Sequence, residues 1–136
     1  MKKVILLLSV MMLGFSSQAQ EQTKNKNAKI YMEVDGICGM CKKRIEGAAL
    51  KTKGVKFAQW DVKTHQLSLI VDERKTDKAT IQQNILNVGH DIILSENKKL
   101  EAALYAYNSV HPCCKYRDEE IVLDHEGELK KQKKSN

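Results

Sequence analysis

Four cysteines in two close pairs, Cys38-Gly39-Met40-Cys41 and Cys113-Cys114, are the residues of this chain best equipped for chemistry. In an exported protein an even cysteine count ordinarily closes structural disulfides. Neighbouring residues on a trans peptide have Cα atoms about 3.8 Å apart, below the usual disulfide range, so Cys113 and Cys114 are better suited to offer two sulfurs to one soft ion. Cys38 and Cys41 stand where a helix is expected to begin. The helix N–H groups and dipole there, with Lys42, Lys43 and Arg44 alongside, favour thiolate over thiol. Thiolates at a loop–helix junction select soft or borderline cations: Cu(I), Zn(II), Cd(II) or Hg(II). Two thiolates suit linear or trigonal Cu(I) and Hg(II), whereas a closed structural zinc site wants four ligands. Low coordination also lets an incoming thiolate attack the ion before its first ligand leaves, as a carrier requires.

The elements that must position these sulfurs follow from hydrophobic period. Ile30, Met32 and Val34 alternate with polar residues and predict a strand that Gly36 stops. From Gly39 the period becomes helical, with Cys41, Ile45, Ala48 and Ala49 on one face and Gly54 as the C-terminal cap. Two strands over 55–62 and 66–72 are joined at Lys63-Thr64-His65, with Trp60 and Phe57 read as sheet core or edge. Asp77 caps a second helix carrying Ile81, Ile85, Leu86 and Val88 inward, Gly89 ends it, and 92–94 forms a fourth strand. The order β-α-β-β-α-β over 29–95 predicts an α+β, ferredoxin-like sandwich: an antiparallel sheet with two helices on one face. Beyond it, Leu100, Ala103, Leu104 and Tyr107 predict a third helix in a Cys-Cys extension over 96–125. Residues 121–123 read as a short strand and 126–136 as a basic disordered tail.

The first residues read as a secretory signal: Lys2 and Lys3, an apolar run from Val4 to Phe15, and a cleavage site closing at Ala19. The run is about 12 residues against the roughly 20 that span a bilayer, and no cysteine near the cleavage site can carry a lipid, so no membrane anchor is expected. The expected setting is export, to the periplasm in a diderm bacterium and otherwise by secretion. Residues 20–28 read as a disordered leader. A 136-residue chain with 42% hydrophobic residues supports one small domain. Its formal charge of +6 falls to 6 − 2 = +4 without Lys2 and Lys3, and the rest concentrates in a solvated lysine tail rather than a nucleic-acid-binding face. No nucleophilic triad, paired catalytic carboxylates or phosphate loop is visible, so no enzyme is expected.

The stretch from Val34 through Cys38-Gly39-Met40-Cys41 to Glu46, followed by Gly54-Val55 and Val88-Gly89-His90-Asp91, resembles the heavy-metal-associated domain family. That family includes copper chaperones, domains of metal-exporting P-type ATPases and, nearest in setting, the periplasmic mercuric-ion-binding protein. The resemblance implies that Cys38 and Cys41 are the two metal ligands. Ile37 stands where the family commonly buries a Met beneath the loop. His90 stands where it usually has an aromatic residue or Lys, so His90 is a third ligand, an outer hydrogen-bond donor or an exposed loop residue. The segment from Tyr107 to Cys113-Cys114-Lys115-Tyr116 resembles the extension of signal-bearing members. Should it fold back, Cys113 and Cys114 approach Cys38 and Cys41, and four sulfurs favour Zn(II), Cd(II) or sequestration. His111 reads as polar surface or a further donor, and Met40 as a loop hydrophobe pointing away from the ion.

The expectation is an exported soft-metal-ion-binding protein that hands its ion to a membrane metal transporter or another metal-binding domain, or sequesters it. Two other classes compete. A thiol–disulfide oxidoreductase also uses CxxC, but its fold needs a strand and helix before the motif and a cis-Pro facing it, and Pro112 is the only proline. The second is an interaction module stapled by disulfides.

Overall fold

The computed structural model describes residues 23–134, so the secretory signal over 1–19 and residues 20–22 of the leader lie outside the described residues. The elements run β1 (Ala28–Val34), α1 (Gly39–Leu50), β2 (Val55–Trp60), β3 (Gln66–Val71), α2 (Lys78–Asn87), β4 (Ile92–Ser95), β5 (Lys98–Leu100), α3 (Leu104–Asn108), a 3-10 turn (Pro112–Cys114) and α4 (Glu119–Lys134). The antiparallel sheet has the order β2-β3-β1-β4-β5. Its first four strands with α1 and α2 make the expected ferredoxin-like α+β arrangement.

Alternation in the central strands sets the register. Met32 pairs with Leu67 and Ile30 with Leu69, so the apolar residues of β1 and β3 share a face. On that face Val34, Trp60, Leu67, Leu69, Val71 and Ile92 are buried against Ile45 and Ala49 of α1 and Ile81 and Ile85 of α2. Asp77 caps α2 as expected, its carboxylate accepting from the Thr80 backbone N–H at 2.8 Å. β2 stops at Trp60, short of the expected 62, because the Asp61 carboxylate accepts from the N–H groups of Lys63 (2.8 Å) and Thr64 (2.9 Å) and closes a turn.

The extension differs more from expectation. Leu100 lies in β5, paired with Ile92, rather than in a third helix, which spans only Leu104–Asn108. Leu104 is 67% exposed, whereas Ala102, Ala106, Tyr107, Val110, Cys114 and Tyr116 are buried. The strand expected over 121–123 and the tail expected to be disordered from 126 are instead, as far as Lys134, the single helix α4, and residues 135–136 lie outside the described residues. Asp118 starts it by accepting from the Glu120 N–H at 3.1 Å, and Glu119 and Glu120 place negative charge against the positive end of its dipole. The leader is tied down where described, with the Asn25 N–H donating to the Glu73 carboxylate at 2.8 Å and the Glu73 N–H to the Asn25 carbonyl at 3.0 Å.

Candidate metal centre

The loop between β1 and α1 is held from three sides. Below it, the buried Trp60 indole N–H donates to the carbonyls of Val34 (3.0 Å) and His65 (3.1 Å). Gly36 lies directly on that ring: a Cβ at Gly36 would stand 3.0 Å from Cys41 Cβ and 3.2 Å from the Trp60 ring, so a larger residue there lifts the loop. From the β4 side, His90 Nδ1 bonds the Asp35 carbonyl at 2.9 Å. A carbonyl only accepts, so Nδ1 carries the proton and Nε2 is left as a buried acceptor without a partner. Ile37 packs at the margin of the core.

Cys38 occupies the N-cap of α1 in extended conformation, and Cys41, in the first turn, is fully buried. Their sulfurs are 3.5 Å apart. A third sulfur arrives from the far end of the chain, Cys114 Sγ lying 3.6 Å from Cys38 Sγ. The three sulfurs lie within 4.8 Å of one another, and all four cysteines are free thiols.

Cys114 is held there by the extension's dock against the turn that ends α2. Gly89 adopts φ 91°, and a Cβ on it would meet the Ala106 carbonyl oxygen at 2.5 Å, so only glycine lets the extension approach this closely. The Tyr116 hydroxyl accepts from the Asp91 N–H (3.0 Å) and donates to the Gly89 carbonyl (2.9 Å). Buried Asp91 receives Arg117 in a two-pronged pair at 2.6 and 3.1 Å, and the Ala102 N–H at 2.7 Å. Arg117 also stacks over the Tyr107 ring, 4.2 Å from its centroid. Arg44 of α1 reaches the Val88 carbonyl at 2.6 Å and Ser109 Oγ at 3.0 Å, joining the helix that carries Cys41 to the extension that carries Cys114.

The thiols do not titrate alike. Burial raises Cys38, but backbone N–H donation from Cys41 and Met40 and S–H donation from Cys41 and Cys114 outweigh it, leaving its pKa below that of an ordinary thiol. Burial is the largest influence on Cys41 and Cys114 and pushes both up, reinforced by the neighbouring sulfurs. The metal-free cluster thus favours one thiolate, on Cys38, shared with two thiols. Of the basic side chains expected to favour thiolate, Lys42 is engaged with the Trp60 carbonyl (2.5 Å) and Glu46 (2.7 Å) instead.

The sequence-derived candidates therefore separate. Cys38, Cys41 and Cys114 converge. Cys113 stays outside the trio, 3.9 Å from Cys114 Sγ, so the group within mutual reach has three sulfurs rather than four. His90 is absent from that group and is neither an exposed loop residue nor a ligand in this geometry, but a buried donor behind the loop, stacked on Tyr116 at 5.4 Å between centroids. Sequence reasoning missed the Trp60 floor and the Asp91–Arg117–Tyr116 clasp; Lys115-Tyr116 beside the cysteines was the one visible signal.

Burial, aided by the nearby Arg44 charge and only partly offset by the Asp35 carbonyl, lowers the His90 pKa to about 4. An unfolded His titrates near 6.5, so between these values the unfolded chain binds a proton that the folded one refuses, and stability falls as pH drops through that window. The expected loss from pH 7 to pH 4 is roughly 3 kcal/mol. Urea denaturation of reduced, metal-free protein should show this slope and His90→Asn, which keeps a donor for Asp35, should flatten it; equal slopes would dismiss the assignment.

Three soft donors on one ion's scale fit a thiophilic cation and suit a hard one poorly. The heavy-metal-associated domain model matches residues 32–91. Among solved structures, a CopZ metallochaperone is 27% identical, the match covering 48% of this chain and all of that one at TM-score 0.47. A copper form of a CopA variant from Bacillus subtilis is 30% identical over 53% of this chain and 95% of that chain at TM-score 0.45. Oxidised MerP from Ralstonia metallidurans is 20% identical over 42% and 83% at TM-score 0.37. Comparison with curated proteins finds no match.

Proposed function

Because this chain belongs to the heavy-metal-associated domain family and binds metal ions, we propose that it is an exported carrier of Cu(I) whose ion is held by the thiolates of Cys38, Cys41 and Cys114. The observation that carries this reading is the third sulfur: Cys114 Sγ at 3.6 Å from Cys38 Sγ turns a two-thiolate site into a trigonal one. Three thiolates suit a d10 monovalent ion and hold it more firmly than two, without the fourth ligand that a structural zinc site takes. Hg(II) meets the same sulfurs equally well and is the alternative cargo. Firmer holding moves the role toward safe carriage and storage, with release by ligand exchange to a receiving thiolate pair on a membrane transporter or another metal-binding domain. Export rests on the secretory signal read in residues 1–19.

Binding exchanges protons for metal. Burial holds Cys41 and Cys114 as thiols before the ion arrives, so capture releases their protons and tightens as pH rises. X-ray absorption of the full chain carrying one equivalent of Cu(I) should report a shell of three sulfurs and no nitrogen. A two-sulfur shell, or one containing nitrogen, would refute the trigonal site.

A further inference from the structure

Cys113 is the sulfur that the trio leaves out, yet it is not alone. Its Sγ lies 3.5 Å from Met40 Sδ and 3.1 Å from His111 Nδ1, as well as 3.9 Å from Cys114 Sγ. Met40 comes from the first turn of α1 and Cys113 from the 3-10 turn, 73 residues on, so the two sulfurs meet only because the extension docks. Packing does not explain Met40, which is 47% exposed in the middle of a motif where it was expected to point away. His111 Nδ1 accepts from the Cys113 N–H at 3.3 Å, so it is the unprotonated nitrogen of the ring, and its lone pair becomes available to an ion once that bond is given up. Met40 and His111 also line a surface depression with Lys43 and Arg44 that reaches down to Cys114. Thiol, thioether and imidazole thus stand together beside the depression that leads to Cys114.

We infer that Met40 Sδ, Cys113 Sγ and His111 Nδ1 form a second, outer site for Cu(I), through which the ion enters and leaves the trio; this rests on the reading of Cys38, Cys41 and Cys114 as the inner site. The donor types set its character. A thioether is soft and neutral, a good partner for Cu(I) and a poor one for Zn(II), so Met40 biases the entrance toward the monovalent ion. One thiolate with two neutral donors holds Cu(I) less tightly than three thiolates, and the outer site is therefore the weaker. The Lys43 and Arg44 rim repels a bare cation and favours delivery from an anionic Cu(I)–bis-thiolate complex. In the inward step the copper stays Cu(I). Its bond to Cys114 Sγ forms as its bond to Met40 Sδ breaks, with Cys113 Sγ still attached across the gap to Cys114; bonds to Cys38 and Cys41 then form as those to His111 and Cys113 break, the Cys114 and Cys41 protons leaving to solvent and Cys113 taking one up.

The test uses the full reduced chain, labelled with 13C in its methionine methyl groups and titrated anaerobically with Cu(I) supplied as its glutathione complex. The expected result is a tight first equivalent that leaves the Met40 methyl resonance in place and a weaker second equivalent that moves it. Met40→Leu should lose the second equivalent and slow release of the first to an added chelator by about tenfold, the scale on which losing even an outer partner of a ligand tells. A single equivalent in the unmodified chain, an unmoved Met40 resonance, or a second equivalent retained by Met40→Leu overturns the outer site. So does loss of the first equivalent in Met40→Leu, which would make Met40 an inner ligand. The inner reading fails separately: a chain with Cys38→Ser and Cys41→Ser that keeps the tight equivalent, while Met40 still answers to the weaker one, refutes the trio and leaves the outer site standing.

Discussion

Serine in place of Cys114 is expected to weaken binding of the first Cu(I) equivalent by about a hundredfold, or ~2.7 kcal/mol, and serine at both Cys38 and Cys41 to abolish it. The ranking follows from geometry. Cys38 and Cys41 lie on one loop–helix junction, three residues apart in the chain, with their sulfurs 3.5 Å from each other. Cys114 adds one ligand to a pair that already exists, so losing it reduces trigonal coordination to linear without destroying the site. The measurement is anaerobic competition against a Cu(I) chelator of known affinity. Cys114 is buried, and a serine hydroxyl there costs about 1–3 kcal/mol of stability if it finds no partner. Cys114→Ala serves as a second variant, and both must show the affinity loss below their melting temperatures. An unchanged affinity in both would remove Cys114 from the ligand set.

Gly89→Ala should be the most damaging single glycine substitution in the domain. Alanine at φ 91° is strained by about 1–3 kcal/mol. Its methyl would also sit 2.5 Å from the Ala106 carbonyl oxygen and 2.9 Å from Val110 Cγ1, and backbone cannot yield as a side-chain tip does. The least costly escape is for the extension to lift from the His90–Asp91 turn, which takes Cys114 from the trio and breaks the Tyr116 and Arg117 bonds. The expected outcome is a stability loss of at least ~2 kcal/mol in urea denaturation, together with a Cu(I) affinity close to that of Cys114→Ser. Gly47→Ala in α1 is the control: no atom stands within 4 Å of the new methyl, and helix propensity predicts a gain of about 0.5–1 kcal/mol. A Gly89→Ala chain as stable as the control would mean the dock is looser than described.

The ferredoxin-like core was legible because its signals are local. Period-2 alternation in β1 and β3, helical spacing of Ile45 with Ala48 and Ala49, the Asp77 cap and the glycines at 54 and 89 each act over a few residues, and each agrees with the fold. The extension was not legible for the same reason. Leu100 and Leu104 have helical spacing, but the pairing of Ile92 with Leu100 draws the first into a strand edge, and the pairing partner is not local. Residues 121–123 are β-branched or apolar and read as a strand, yet the acidic first turn and the lysines at the far end suit a helix dipole, which a three-residue window does not register.

By itself the sequence determined that two thiols would stand at a helix start, because residues 38 and 41 lie about one turn apart after a strand that Gly36 stops. It also determined that soft-metal chemistry was available, because that depends on donor type alone. Only the tertiary structure decided how many sulfurs meet, and which. Gly89, Asp91 and Arg117 carry no mark of metal chemistry, yet their close approach and ion pair bring Cys114 to the trio and turn Cys113 outward toward Met40 and His111. The reason is that the two side chains of a Cys-Cys pair on one 3-10 turn leave the backbone in different directions, so their sulfurs, 3.9 Å apart, meet different neighbours, and the orientation of the dock decides which of them joins the trio.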